Sequence, residues 1–214
     1  MTFSITLIII IITSIISFLA FNNRALMDKL IFYPPAVANQ KQWYRFFSCG
    51  LIHADIGHLV LNMFCLYSFG DAIENAFTAI FGSSGALLYL IMYVSALAVC
   101  LIPTYKKNKD NYHYRSLGAS GAVSAVMFAF ILFAPLSSIG FFFIPIGIPS
   151  FIFGPLYLIL TAYLDKRGGG HINHSAHLWG ALYGVAFVII MSFALHTGFN
   201  PFTHFIQSAQ EYFH

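Results

Sequence analysis

Ala176-His177-Leu178-Trp179-Gly180-Ala181-Leu182-Tyr183-Gly184 is the stretch on which the fold turns. It sits early in an apolar run, 174–196, long enough to cross about 30 Å of hydrocarbon as a helix. Gly180 and Gly184 stand four apart, a small-xxx-small face that lets two helices approach closely in a bilayer. His177 precedes Gly180 by three residues and falls on the same side. An ionisable group in such a span costs ~2.5–3.5 kcal/mol when charged at the centre, and it usually faces the interior of a bundle. Packing alone accounts for the two glycines but leaves the histidine unexplained.

The rest of the chain has the same character. Of 214 residues, 59% are hydrophobic and only 8% charged, against about a quarter charged in a soluble domain. Mean hydropathy is +0.78. A soluble fold this apolar would expose large sticky patches, so the reading is an all-α polytopic membrane protein in one domain over 1–214. Six apolar stretches are expected to span: 2–21, 56–77, 83–103, 118–135, 139–164 and 174–196. The first lacks a basic leading region and a small-residue cleavage site, so it is expected to be a retained span. The fifth carries Pro145, Pro149 and Pro155 with three glycines and is expected to be kinked or loosely packed.

The connections are equally distinctive. Residues 22–55 form a long polar-aromatic segment with Pro34-Pro35 and Trp43-Tyr44-Arg45-Phe46-Phe47, suited to the headgroup zone. Tyr105 to Leu117 is polar and basic, and Gly168-Gly169-Gly170 is a hinge before the last span. After Asn200-Pro201, Phe202, Phe205, Ile206, Ala209, Tyr212 and Phe213 recur at helical spacing, giving a short amphipathic helix within 196–214 on the membrane surface. The net charge of +3 makes no basic face of the kind nucleic acid requires. Three cysteines, Cys49, Cys65 and Cys100, form no CxxC and read as packing residues.

Four polar residues lie where lipid is expected: His58 and Asn62 in the second span, Ser120 at the head of the fourth, and His177 in the sixth. His58 and Asn62 share a helix face. They can donate hydrogen bonds to a transient negative charge, or simply hold helices together for ~1 kcal/mol. Ser120 sits in Gly118-Ala119-Ser120-Gly121, where a chain turning into a helix leaves backbone N–H groups pointing outward. Taken alone this is also what a capping serine between turn glycines looks like. Gly121 and Ala125 offer a small face to match Gly180 and Gly184. Counting spans puts the starts of the second, fourth and sixth at one membrane side, so all four residues converge there.

Together these motifs resemble the rhomboid family. HxxxN on the second span is His58-Leu59-Val60-Leu61-Asn62, GxSG on the fourth is Gly118-Ala119-Ser120-Gly121, and AHxxG on the sixth is Ala176-His177-Leu178-Trp179-Gly180. Glu74 resembles the acidic residue that ends the family's second span, His53 fits five before His58, and Arg45 resembles the first-loop arginine. Here that loop reads Trp43-Tyr44-Arg45 where the family usually has adjacent Trp-Arg. The resemblance implies a six-helix rhomboid-like bundle in a bacterial inner membrane. It implies a serine endopeptidase without metal or cofactor, acting on transmembrane proteins. Ser120 is then the nucleophile and His177 the base, with His58, Asn62 and the Ser120 N–H as oxyanion donors and the fifth span as a lateral gate.

An inactive client-binding relative and a polytopic transporter are the alternatives. A metal site built on His171, His174 and His177 is a weaker reading, because HExxH is absent. The loops holding all ten lysines and arginines fall on the active-site side of the six-span arrangement. The positive-inside rule assigns that side to the cytoplasm, whereas the resemblance implies the outer side.

Overall fold

The structure, a computed structural model, describes residues 4–141, 144–168 and 172–213. It is mostly helical. The first long helix, α1 (Ile5–Phe21), is capped by Ser4, whose side chain accepts from the Leu7 N–H. Residues 22–55 are more ordered than a loop. They form α2 (Arg24–Leu30), α3 (Pro34–Gln40), α4 (Arg45–Ser48) and a 3-10 turn over Cys49–Leu51. Asn23 caps α2, and Pro34-Pro35 supplies the first turn of α3, where a missing N–H is harmless.

The bundle continues with α5 (Ile56–Phe81), α6 (Gly85–Val99) and α7 (Ile102–Asn108). The expected third span, 83–103, ends early because Pro103 opens α7 as a separate short helix. Then come α8 (Ser120–Phe133), α9 (Ser150–Arg167), α10 (His174–Ala194) and α11 (Pro201–Glu211).

The expected fifth span, 139–164, is corrected, and the mostly helical fold gains one short strand pair. Ser138–Phe141 and Ile144–Pro149 pair antiparallel as β1 and β2, with Gly140 opposite Gly147. Pro145 and Pro149 keep this stretch out of a helix, and a side chain at Gly147 would overlap Ser138. The helix proper starts at Ser150 and carries only Pro155 inside it. Gly168, with φ 63°, ends α9; Gly169, Gly170 and His171 lie outside the described residues.

Eleven of the 14 residues of α8 are buried, so this helix is the axis of the molecule. Around it pack Leu66, Ile73 and Phe77 of α5, Tyr89 and Met92 of α6, and Val188 of α10. Large apolar side chains also face outward, among them Ile12, Ile15, Leu61, Ile159 and Ile190. An exterior of that kind suits hydrocarbon rather than water. By length and composition two stretches could cross a membrane, Ile56–Asn108, which runs from α5 through α7, and His174–Ala194; α1 and α8 are shorter apolar helices.

The amphipathic helix is present as α11, capped by Asn200. It docks on the bundle rather than resting only on a surface. His204 Nε2 lies 3.0 Å from the Phe133 carbonyl, and Phe199 stacks on Phe133 at 5.5 Å. Phe202 remains exposed on its other side, and beyond its end the Phe213 ring meets Phe151 at 6.0 Å.

Candidate active site

The segment that leads into Ser120 is fixed by its backbone. Phe32 and Ser116 exchange N–H···O bonds of 2.9 and 3.1 Å, and the Gly118 N–H donates to the Cys49 carbonyl at 2.9 Å. The Ala119 N–H donates to His53 Nε2 at 3.4 Å. Gly118 has φ 108°, and a Cβ there would stand 2.7 Å from His58 Cε1, so both conformation and space require glycine. Ser120 is the first residue of α8, whose opening N–H groups have no intrahelical acceptor.

His53 is the buried peg beneath this turn. The Ser17 hydroxyl donates to the Leu51 carbonyl at 2.9 Å, so its oxygen accepts from His53 Nδ1–H at 3.0 Å. That fixes the tautomer and leaves Nε2 to accept from Ala119. Burial is the main reason the imidazole is pushed down to about 3, with the neighbouring His58 adding to the shift. It is therefore neutral, as an acceptor role demands.

His177 reaches the site on α10. Asn173 caps that helix. Its Oδ1 accepts from the Ala176 N–H at 3.1 Å and from Thr104 Oγ1 at 3.2 Å, while its Nδ2 donates to Ser116 Oγ at 3.5 Å. One side chain thus ties the start of the histidine helix to the segment before Ser120. The sequence signal for it is an asparagine just before a helical run, outside the AHxxG motif.

The two small faces meet as their spacing predicts. A Cβ on Gly180 would collide with the Gly121 carbonyl, and one on Gly184 with the Ala125 carbonyl. Gly121 is also pressed by Cys100, which is buried and unpaired. With α8 and α10 in backbone contact, Ser120 Oγ and His177 Nε2 lie 2.7 Å apart. Among the described residues, no side chain hydrogen-bonds His177 Nδ1; the His174 ring is 6.1 Å away, centroid to centroid. A hydroxyl hydrogen-bonded to an imidazole beside helix-start N–H groups is an arrangement able to support nucleophilic attack.

The remaining expected residues sort into two kinds. His58 lies against Gly118, its ring 5.0 Å from that of His53. Its Nδ1 faces the Ala54 N–H at a long 3.5 Å, which leaves Nε2 as the protonated, donating nitrogen. Asn62 is buried and donates one Nδ2 hydrogen to the His58 carbonyl of its own helix at 2.9 Å, with a second hydrogen to spare.

Arg45 and Glu74 hold the frame. Arg45 is buried and donates to Gln42 Oε1 and to the Asp28 and Ile31 carbonyls at 2.6, 2.9 and 2.6 Å, fastening α2 to α4. Glu74 lies at the far end. It accepts from the Ile5 and Thr6 N–H groups at 2.8 and 3.1 Å, so a carboxylate of α5 caps the start of α1.

This architecture is that of an intramembrane bundle with a serine and a histidine at its closest helix contact, and the chain belongs to the rhomboid family. A family profile described as the Rhomboid domain matches residues 40–193. The chain is similar to RHOMBOID-like protein 12, mitochondrial, of Arabidopsis thaliana, 33% identical over 138 residues, which is 60% of this chain and 40% of that protein. It is 29% identical to the human presenilin-associated rhomboid-like protein, mitochondrial, over 145 residues, 64% of this chain and 35% of that one. It is 27% identical to the rhomboid protease GluP of Bacillus subtilis over 149 residues, 68% and 25% of the two chains. The chain therefore spans less than half the length of these relatives. Family and apolar helices together make it an integral membrane protein. With mitochondrial proteins among its relatives, the expected bacterial inner membrane is not supported.

Proposed function

We propose that the chain is an intramembrane serine endopeptidase that cleaves other membrane proteins in or near their transmembrane segments, with α1, α5, α6, α8, α9 and α10 as six spans. The observation that carries the reading is the 2.7 Å hydrogen bond between Ser120 Oγ and His177 Nε2. His177 takes the hydroxyl proton as Ser120 attacks the scissile carbonyl, and the acyl-enzyme forms when His177 returns that proton to the leaving amine. Water, deprotonated by the same imidazole, then releases the acyl group. The Ser120 N–H, His58 and Asn62 hold the oxyanion; loss of one such donor typically costs ~10²-fold or more.

Helix lengths support a recessed site. The 14 residues of α8 rise about 21 Å, less than the roughly 30 Å of hydrocarbon. The 26 of α5 and 21 of α10 reach about 39 and 32 Å. A nucleophile at the head of the short helix then lies below the surface, between longer neighbours that open to water at that end. The gate is α9, which carries Pro155 and leans on α10 more than on α8. Locking α9 to α5 with a crosslink should block membrane-embedded substrates.

The test is cleavage of a model transmembrane substrate by the purified protein in proteoliposomes, compared with Ser120→Ala and His177→Ala. Both variants should be inactive, and equal cleavage by all three would end the protease reading. A fluorophosphonate should label Ser120 and fail to label it in His177→Ala.

A further inference from the structure

Basic residues are distributed along this chain in an all-or-none way. All ten lysines and arginines fall in 24–45, 106–115 and 166–167; none occurs in 1–23, 46–105, 116–165 or 168–214. The fold gathers those three segments at one end. Arg24 and Lys29 are on α2, just beyond the end of α1. Lys106 and Lys107 are on α7, whose Thr104 binds Asn173 at the start of α10. Arg115 lies over the Tyr33 ring at 4.6 Å. Lys166 and Arg167 close α9, and a cleft lined by Lys107, Asn108, Leu164, Asp165 and Asn173 joins that end to α7. This is the end at which α5, α8 and α10 begin, and it is therefore the end of His58, Ser120 and His177.

The opposite end is marked by Glu74 at the start of α1 and by α11 against Phe133. It carries Asp71, Glu74 and Glu211 and no lysine or arginine. Of the ten cations, Arg45 is spent inside the fold and Arg115 rests on Tyr33. The other eight are exposed, and among the described residues none of them pairs with a carboxylate. Exposed Trp43, Tyr44 and Tyr112 lie in the same segments, and exposed Phe47 directly follows the first, giving the aromatic and basic mixture of a headgroup zone.

Cations in short loops are held on the side from which a membrane protein is inserted, and the anionic lipid of that leaflet attracts them; acidic residues contribute little to the choice. We infer that the end carrying Ser120 and His177 faces the compartment from which the chain is inserted, with its rim of cations seated on an anionic leaflet. This is the reverse of the outer-side placement that the family resemblance implies. Resting on the protease reading, it also names the substrate class: membrane segments whose cleavable stretch is presented at the inserting leaflet, with products released to that side.

The test uses the full 214-residue chain in a bacterial inner membrane, with Cys49, Cys65 and Cys100 replaced by alanine and one cysteine introduced at a time. Lys107→Cys reports on the catalytic end and Gln207→Cys on α11, both at exposed positions. A membrane-impermeant maleimide should label Lys107→Cys in inverted vesicles and not in spheroplasts, and Gln207→Cys in spheroplasts and not in inverted vesicles. Because cysteine removal could disturb packing at Gly121, the wild-type chain is also fused at its C-terminus to alkaline phosphatase, which should be active. Labelling of Lys107→Cys from outside, equal labelling from both sides, or an inactive fusion would overturn the inference. Neither readout needs cleavage, so Ser120→Ala should give the same topology. This orientation without activity would sink the protease reading alone, and activity with the reverse orientation would sink the topology alone.

Discussion

Gly180→Ala tests whether the reacting pair depends on backbone contact between α8 and α10. The added Cβ would overlap the Gly121 carbonyl oxygen, and restoring an ordinary contact of about 3.5 Å parts the helices by roughly 1.5 Å at that level. His177 is one turn away and moves with its helix. The 2.7 Å bond to Ser120 then stretches to about 4 Å, beyond the reach of a hydrogen bond. Without a positioned general base the rate should fall about 10²–10⁴-fold, while overpacking costs about 1–3 kcal/mol of stability. Gly184→Ala makes the same collision, with Ala125, about 6 Å further along the helix. It should lose similar stability and less rate. The assay is cleavage of a transmembrane substrate in proteoliposomes, alongside thermal melting in detergent to show that each variant is folded. A folded Gly180→Ala protein cleaving within about tenfold of wild type would refute the argument that this close approach sets the chemistry.

Tyr157→Phe removes the 3.1 Å bond to Ser124 that, among the described residues, ties the middle of α9 to α8. The loss should be only about 0.6 kcal/mol and should speed cleavage of membrane-embedded substrates; a slower rate would place Tyr157 in substrate binding instead. Glu74→Ala removes the acceptor for the Ile5 and Thr6 N–H groups, leaving only the Ser4 cap on α1, and should cost about 0.5–2 kcal/mol, read as a lower melting temperature with cleavage at low temperature little changed. His53 gives a pH signature. Its pKa falls from 6.5 unfolded to about 3 folded, so between those values the unfolded chain binds more protons. Stability should therefore be undiminished by this group above pH about 6.5 and fall steadily as the pH drops toward about 3. His53→Asn should flatten that slope in detergent melts between pH 7 and 4, and an unchanged slope would deny His53 the role.

The sequence made the α8–α10 contact legible because small residues four apart on two helices have one economical use in lipid, and their mates are in register here. Counting spans was enough to bring His58, Ser120 and His177 to one end. The pairing of Ser138–Phe141 with Ile144–Pro149 was not legible, since a run rich in isoleucine and phenylalanine has no periodicity to separate a strand from a buried helix; its prolines were the available clue. The helices between 22 and 55 run only four to seven residues, too short for a helical periodicity to stand out, and α2 buries none of its residues. Glu74 at the start of α1 and Asn173 beside Ser116 are contacts across 69 and 57 residues. Spacing within one helix cannot reveal such pairs.

What these long-range ties have in common explains how so apolar a bundle can hold Ser120 and His177 steady, as the proposed chemistry requires. In hydrocarbon there is little hydrophobic drive between helices, so position must come from close packing and from polar groups with no alternative partner. Ser120 is held by three such devices at once: the glycine contact behind it, the His53 bond to Ala119 in front, and the Phe32–Ser116 exchange at the base of its loop. His177 is held by the same glycine contact and by Asn173, which reaches the same loop. Ser120 and His177 are thus referred to one anchor rather than to two independent helices. A disturbance of the first-loop segment should move them together and spare their bond. A wedge at Gly180 acts between them, which is why it, and not a change in α2 or α3, is the perturbation expected to separate chemistry from folding.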